Sequence, residues 1–244
     1  MTKTIIISGA SSGIGEACLE LFLAKNWQVF NLDINEPKHN KDCWIKCDLT
    51  NSNKITQAIK QIQTQTNTVD ALISNAGKHF SATIENTTDE DFYDVINTNL
   101  KSTFVLIREV IPMMKANNSA HIITIGSDQC SIAKPSSAIY GLTKAAIGQL
   151  TKNIALDYAK YNITANCIAA GTIDTELYQA AVKRYSDRSG IALADIHSEE
   201  ANLQPLKRIG KANEIAELAY FLASGKASYI TGAILPIDGG YTAQ

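Results

Sequence analysis

Tyr140 and Lys144 stand four residues apart in Tyr140-Gly141-Leu142-Thr143-Lys144. On a helix that interval puts both side chains on one face. A phenol is a poor base at neutral pH, because its ordinary pKa is near 10. An ammonium a few Å away favours the phenolate, and a partly screened attraction of ~4 kcal/mol would lower the phenol's pKa by roughly three. The pair then suits general acid/base chemistry. Alone, such a pair is common by chance. Ser127 gives it weight, because it ends the apolar run Ile122-Ile123-Thr124-Ile125-Gly126-Ser127. In an open α/β sheet the carboxyl ends of strands line the ligand crevice. A hydroxyl there can hold a substrate oxygen while the tyrosine moves a proton.

A second group of residues suits a phosphate. The run Thr4-Ile5-Ile6-Ile7-Ser8 breaks into a loop with Gly9, Gly13 and Gly15, spaced G-x-x-x-G-x-G, and a helical pattern follows. A helix N-terminus offers unpaired amide donors and a partial positive charge. Ser11, Ser12 and Ile14 complete this cradle. Asp33 ends the second apolar run, where an acidic side chain bonds ribose hydroxyls. Its carboxylate would oppose a ribose 2′-phosphate by ~4 kcal/mol at ~4 Å and an effective dielectric of ~20. Its neighbours Ser11, Ser12, Ile34 and Asn35 bring no compensating cation. The expectation is therefore NAD(H) over NADP(H). Asp48, followed by Leu49, has two readings: a bond to the adenine amino group, or a cap on the next helix. Ser74-Asn75-Ala76-Gly77 would let a strand end pass close to the cofactor ribose, with an ordinary turn as the alternative.

The elements that must position these groups alternate along the chain. Strands are expected at 4–8, 28–33, 44–47, 69–74, 121–126, 163–168 and 233–237. Helices are expected at 14–25, 53–65, 89–117, 138–161 and 212–222, with Pro112 bending or interrupting the third. The alternation predicts a doubly wound, Rossmann-type parallel sheet of seven strands with helices on both faces, in one domain over 1–244. The segment 172–205 has weak periodicity and several charges. It follows the sixth strand and is read as a mobile substrate lid containing one or two short helices.

Bulk properties narrow the classes. The chain has 244 residues, 45% apolar and 19% charged, with a net charge of −2. No basic excess points to nucleic acid or to an anionic membrane. The first residues do not read as a signal peptide, and no apolar run approaches the ~20 residues that span a bilayer, so a cytoplasmic protein is expected. The five cysteines are odd in number and show no disulfide framework. Cys43 and Cys47 have no second ligand pair after them, so no metal site is expected.

Taken together, these residues resemble the short-chain dehydrogenase/reductase family, along essentially the whole chain from the glycine loop to Asp238-Gly239-Gly240-Tyr241. The resemblance implies hydride transfer between a nicotinamide and a carbon bearing oxygen. Tyr140 would be the general acid/base. Lys144 would tune it and bond the nicotinamide ribose, and Ser127 would orient the reacting oxygen. Asn99, in Asn97-Thr98-Asn99-Leu100-Lys101, is similar to the family's active-site asparagine, which disturbs its helix and supports a water relay. Thr172 and Thr175 stand where family members contact the nicotinamide amide, and Gly171 and Ile173 are read with them as cofactor-binding. The family's Pro-Gly after the sixth strand is Ala170-Gly171 here, and its Asn-Asn-Ala-Gly is Ser-Asn-Ala-Gly. A homotetramer is also implied, and the apolar sides of the helices carrying Asn99 and Tyr140 (Phe104, Val105, Ile107 and Ile111; Ile147, Leu150, Ile154 and Leu156) agree with it or with burial inside one chain.

The substrate pocket is expected to draw on Lys78, His79, Asp128 and Gln129, with Tyr178, Arg184 and Gln204 from the lid. Gln204-Pro205 and the C-terminus look similar to 3-hydroxybutyrate dehydrogenases, but Gln129 and Ser137 replace a histidine and a lysine of those enzymes. The expected substrate is a small polar secondary alcohol or ketone: a hydroxy acid, polyol or sugar derivative. NAD preference tilts the reaction towards oxidation. A 3-oxoacyl carrier-protein reductase is the rival enzyme, disfavoured because such reductases usually take NADPH. A non-catalytic cofactor sensor or scaffold is the rival of another class.

Overall fold

The computed structural model describes residues 2–244. Its strands are β1 (Thr4–Ser8), β2 (Gln28–Asp33), β3 (Trp44–Lys46), β4 (Ala71–Ser74), β5 (Ala120–Ile125), β6 (Ile163–Ala170), β7 (Ile173–Asp174), β8 (Gly210–Lys211) and β9 (Ile234–Ile237). Its helices are α1 (Gly13–Ala24), α2 (Ser52–Gln63), α3 (Asp89–Val95), α4 (Ser102–Asn117), α5 (Ala138–Tyr158), α6 (Glu176–Ser189), α7 (Leu193–Leu203) and α8 (Ala212–Ala223). Seven strands form one sheet in the order β3-β2-β1-β4-β5-β6-β9, and every pair in it is parallel. This is the expected Rossmann-type architecture.

The sequence dictates two-sided burial. β1, β4 and β5 are buried along their whole length, as strands covered on both faces must be. Their side chains alternate between two cores. Ile6, Leu72 and Ile122 pack with α2 and α4 on one face. Ile5, Ile7, Ala71, Ile73, Ile123 and Ile125 pack with α1 and α8 on the other. α2 shows why it docks: Ile55, Ala58, Ile59 and Ile62 are its buried residues, a stripe at helical spacing.

Chain direction creates the site. From β1 the chain winds outward to β2 and β3, then crosses back to β4 on the other side of β1. The carboxyl ends of β1 and β4 therefore flank the crevice at a topological switch point.

The structure corrects several expectations. The helix expected over 89–117 is two α-helices joined by a π-helical stretch, Ile96–Lys101. The irregularity lies at Asn99, and α4 runs through Pro112 without a break. Proline removes one helical donor, but Arg108, whose carbonyl loses that partner, lies on the exposed side. Segment 172–205 holds two substantial helices, α6 and α7, and β7 pairs with β8 beyond them. No helix among the described residues is long and apolar enough to cross a membrane.

Candidate active site

The glycine loop is shaped by backbone that leaves no room for side chains. Gly9 has φ +66°, and a Cβ there would lie 2.8 Å from Ala76 Cα. A Cβ on Gly15 would meet the Gly9 carbonyl oxygen at 2.1 Å. The loop is tied to its neighbours by polar side chains. Ala10 N donates to Asn31 Oδ1 at 3.1 Å, and Ser11 N donates to Asp33 Oδ2 at 3.0 Å. Asn75 Nδ2 donates to the carbonyls of Ser8 and Gly9, while the amides of Asn75 and Ala76 donate to Ser8 Oγ. The side chain of Ser12, at the start of α1, makes no capping bond to the helix. The first turn's amides therefore keep the donor capacity that a phosphate needs.

These residues fit a dinucleotide. The glycine cradle is closed to any side chain, and Asp33 is 9% exposed at the end of β2. Its Oδ1 accepts from Asn35 N at 2.9 Å. Each carboxylate oxygen retains a lone pair beyond the loop amide it holds, as ribose hydroxyls require. Asp48 caps no helix: its Oδ1 accepts from the amide and hydroxyl of Thr50, and Asn51 caps α2 instead. The Thr50 hydroxyl also holds the Asp48 carboxyl below its ordinary pKa. Leu49 packs against the core. Gly171 is required by the close pass of Asp238, whose Cα would lie 2.7 Å from a Cβ there. Thr172 Oγ1 donates to Glu200 on α7, and Ile173 is buried in β7. Thr175 caps α6 by accepting from Tyr178 N, and its side chain lies 3.2 Å from the Cβ position of Gly13. The α6 N-terminus thus touches the glycine loop.

Beside the cradle lie the candidate catalytic residues. Ser127 lies just beyond β5, after Gly126, and caps a short 3₁₀ turn, Asp128–Cys130. Tyr140 and Lys144 sit on α5, on the face turned to it. Lys144 is buried, and its Nζ donates to Ile125 O at 2.8 Å. That nitrogen is 5.7 Å from the centroid of the Tyr140 ring. Burial pushes the Tyr140 phenol above its ordinary pKa, opposed by a hydrogen bond with Ser127. Burial likewise lowers the Lys144 ammonium. This corrects the simple expectation that Lys144 depresses the phenol. Desolvation of the phenol dominates, while the ammonium keeps its charge and two N–H donors beyond the Ile125 carbonyl.

Asn99 is fully buried and locked. Its Oδ1 accepts from Lys78 N at 2.8 Å, and its Nδ2 donates to Lys78 O at 3.0 Å and to Thr143 Oγ1 at 3.2 Å. One asparagine therefore joins the chain after β4 to α5, next to Tyr140. The π-helical stretch is the local distortion that accompanies this placement.

At the substrate end the His79 ring stands edge-on to the Tyr140 ring, with centroids 5.0 Å apart. Burial, then the charges of Arg184 and Lys134, hold the imidazole below its ordinary pKa. Gln129 is buried, with its Oε1 2.9 Å from the Cβ position of Gly141. Tyr178 OH is 2.9 Å from His197 Nδ1, which braces α6 on α7. Gln204 is buried with Oε1 unpartnered, and it lines a cavity of about 90 Å³ with Thr172, Arg208, Glu214 and Asp238, a lining that includes neither Ser127 nor Tyr140. The Lys78 ammonium pairs with Asp94 on α3, while its backbone is held by Asn99.

Known proteins share this fold. A family model described as Enoyl-(Acyl carrier protein) reductase matches residues 9–242. The chain is 31% identical over 240 residues to the 3-oxoacyl-[acyl-carrier-protein] reductase MabA of Mycobacterium tuberculosis, covering 98% of this chain and 93% of that protein. The crystal structure of a short chain dehydrogenase family protein from Francisella tularensis superposes with a TM-score of 0.94 at 39% identity, covering 100% of both chains. The chain is a short-chain dehydrogenase/reductase. The ligand-free aldohexose dehydrogenase of Thermoplasma acidophilum is similar too, with a TM-score of 0.95 at 34% identity over 100% of this chain and 95% of that one.

The short-chain dehydrogenase/reductase fold places Asn99, Ser127, Tyr140 and Lys144 at the carboxyl ends of β4 and β5, beside the glycine loop. Sequence reasoning missed Lys134. Its Nζ lies 2.6 Å from Asp128 Oδ2 and 4.7 Å from the centroid of the Tyr241 ring. The only sequence signal was Asp128 itself, an acid directly after Ser127. Ser8 and Asn31, which hold the glycine loop and the end of β4, were also missed. Each looks like an ordinary strand residue until its partner is known.

Proposed function

We propose that this protein is an NAD(H)-dependent oxidoreductase that interconverts a secondary alcohol and a ketone on a small polar substrate. The observation carrying this reading is the convergence of Ser127, Tyr140, Lys144 and Asn99 beside a loop closed to side chains and open to phosphate. When bound, a nicotinamide supplies the hydride acceptor or donor. The chain's residues do the rest. Ser127 holds the reacting oxygen. Tyr140 takes the hydroxyl proton in oxidation and returns it in reduction. Lys144, in reach of the same face, places positive charge behind the phenol. Asn99 fixes the backbone after β4 and, through Thr143, the turn of α5 that carries Tyr140. His79 and Gln129 wall the pocket, and Tyr178, Arg184 and Gln204 come from the α6–α7 segment proposed as its lid. An assay for NADH absorbance with polyols, hydroxy acids and sugar alcohols tests this reading, and the turnover it predicts should vanish in Tyr140→Phe.

Asp33 supports NAD(H) over NADP(H), and with it oxidation as the working direction. A 2′-phosphate within ~4 Å of this carboxylate is opposed by up to ~4 kcal/mol before solvent screening, so NADH should bind at least ~10-fold tighter than NADPH. Asp33→Asn should close most of that gap. Fluorescence titration checks both, and tighter NADPH binding by the unaltered protein would overturn the assignment.

A second reading, a 3-oxoacyl carrier-protein reductase, is favoured by the likeness to MabA. It predicts ketone reduction with NADPH on a carrier-bound acyl chain, whereas the aldohexose dehydrogenase likeness agrees with a polyhydroxylated substrate. The NADH–NADPH titration separates the two.

We further propose a homotetramer. Val105, Ile107, Ile111, Ile147 and Ile154 are used inside the chain, whereas Phe104 and Leu156 remain exposed on α4 and α5. Sedimentation at micromolar concentration should give four times the chain mass, and a monomer would contradict the proposal.

A further inference from the structure

Two thiols that the mechanism does not use lie directly behind the site. Cys130 ends the 3₁₀ turn that Ser127 caps, and Cys167 stands within β6. Both are free. Gly126, between β5 and Ser127, shows how near they come. A Cβ there would lie 2.6 Å from Cys167 Sγ and 2.8 Å from Cys130 Sγ, so the two sulfurs share the space of one absent methyl. Cys130 Sγ also donates to Lys144 O at 3.1 Å and lies 3.6 Å from the Cβ position of Gly148. The pair is wedged between the end of β5 and the helix that carries Tyr140.

The two thiols are unequal. Cys167 is fully buried, whereas Cys130 is half-buried. A hydrogen bond from Cys167, opposed by burial, holds the Cys130 thiol down at about 7, and the Lys144 charge adds to this. The same bond, with burial, keeps Cys167 protonated. Thiolate is the reactive form, so Cys130 is the reactive member. Burial pushes Cys18 up to about 12 and Cys47 up to about 11, and raises Cys43. Cys43 and Cys47 pack in opposite cores, with the sheet between them.

We propose that Cys130 and Cys167 form a redox modification site, in which a hydroperoxide oxidises Cys130 and Cys167 then closes a reversible disulfide that displaces Ser127. With hydrogen peroxide, the Cys130 thiolate attacks one oxygen. An S–O bond forms, the O–O bond breaks, and the departing hydroxide takes up the thiol proton as water. The Cys167 sulfur then attacks Cys130. The S–S bond forms, the S–O bond breaks, and a second water leaves with the Cys167 proton. Two thiols give up two electrons and one peroxide is reduced.

A disulfide needs about 2.05 Å between its sulfurs, and the movement must come from the turn. Cys167 is held in β6 by pairing with β5 and β9, and its amide donates to Ala233 O. Cys130 hangs on the turn, where its amide donates to Ser127 O at 2.8 Å and Gln129 N donates to Ser127 Oγ at 3.2 Å. Drawing Cys130 towards β6 therefore moves Ser127 and its hydrogen bond with Tyr140.

The test treats the reduced protein with hydrogen peroxide, alkylates the remaining thiols and maps the peptides without reduction. Two of the five thiols should escape alkylation, as one peptide pair joined through Cys130 and Cys167. Turnover of the alcohol found by substrate screening should fall ~10-fold or more, since small displacements at a reacting group are costly, and should return with dithiothreitol. Cys130→Ser should keep its basal turnover within about twofold and lose the peroxide response. In Cys167→Ser the oxidised Cys130 has no resolving partner, so inactivation should resist dithiothreitol. If that variant does not fold, Cys130→Ser and the peptide map still decide. Five alkylated thiols after peroxide, a bond between other cysteines, or a Cys130–Cys167 bond that leaves turnover unchanged would overturn the proposal. The mapped bond does not depend on the alcohol–ketone reading. Absence of turnover in the unaltered protein would overturn that reading alone, with the peptide map still deciding whether the thiols pair.

Discussion

Tyr140→Phe is expected to lower turnover about a thousandfold while leaving NADH affinity within about twofold, since a positioned general acid/base contributes ~10²–10⁴. The substitution removes one oxygen. The ring that packs edge-on against His79 remains, and the glycine cradle is untouched. The phenol hydroxyl is the group the proposed mechanism asks to carry the substrate proton beside Ser127. The pH dependence follows from the same group. Oxidation needs the phenolate, and burial raises the phenol's pKa above its ordinary value. The oxidation rate should therefore climb with pH over the alkaline range, while reduction, which needs the neutral phenol, should not. Stopped-flow rates with NAD⁺ at several pH values check the sign. The same variant separates an enzyme from a cofactor sensor: a sensor would keep its biological effect when Tyr140 is phenylalanine.

The second large effect is expected at Gly15. An alanine in the first turn of an exposed helix ordinarily gains up to ~1 kcal/mol over glycine. Here the sign reverses. The new methyl would sit 2.1 Å from the Gly9 carbonyl oxygen and 2.6 Å from Asn75 Nδ2. Backbone cannot swing aside as a side-chain tip does, so the loop must move as a unit. It would drag the Asn75 bonds to Ser8 and Gly9 with it. Gly15→Ala should destabilise by ~3 kcal/mol, at the upper end of overpacking effects, and weaken NADH binding by about two orders of magnitude. Urea unfolding and cofactor titration read the two effects separately. A variant with unaltered stability and affinity would show that the close approach of loop and helix is not required.

Much of this is legible in the sequence. The buried strands declare themselves because β1, β4 and β5 are short apolar runs, and two-sided burial demands that composition. The glycine loop is legible because only glycine tolerates the approach of Ala76 and of the Gly9 carbonyl. Tyr140, Lys144 and Ser127 are legible as a set, through helical spacing and a strand end. Asn99 is not readable from local rules, since its partners are the backbone of Lys78 and the hydroxyl of Thr143, far along the chain. The same non-locality misplaced the helix irregularity. Proline is a local signal, and α4 absorbs Pro112, while the distortion arises where a side chain is anchored elsewhere. Lys78 is marked in the sequence only by its position after β4, and its pairing with Asp94 is not visible locally. β7 and β8 are two residues each, too short for any period to register. The α6–α7 segment stayed vague because most of its surface is exposed, which leaves few apolar positions to mark its phase.

The most direct test of the central claim is NADH absorbance in a paired assay of the unaltered protein and Tyr140→Phe. NAD⁺ would be offered with a panel of polyols, hydroxy acids and sugar alcohols. The account predicts turnover of at least one secondary alcohol by the unaltered protein and its loss in the variant, with NADH binding retained. Equal turnover by both proteins would contradict it.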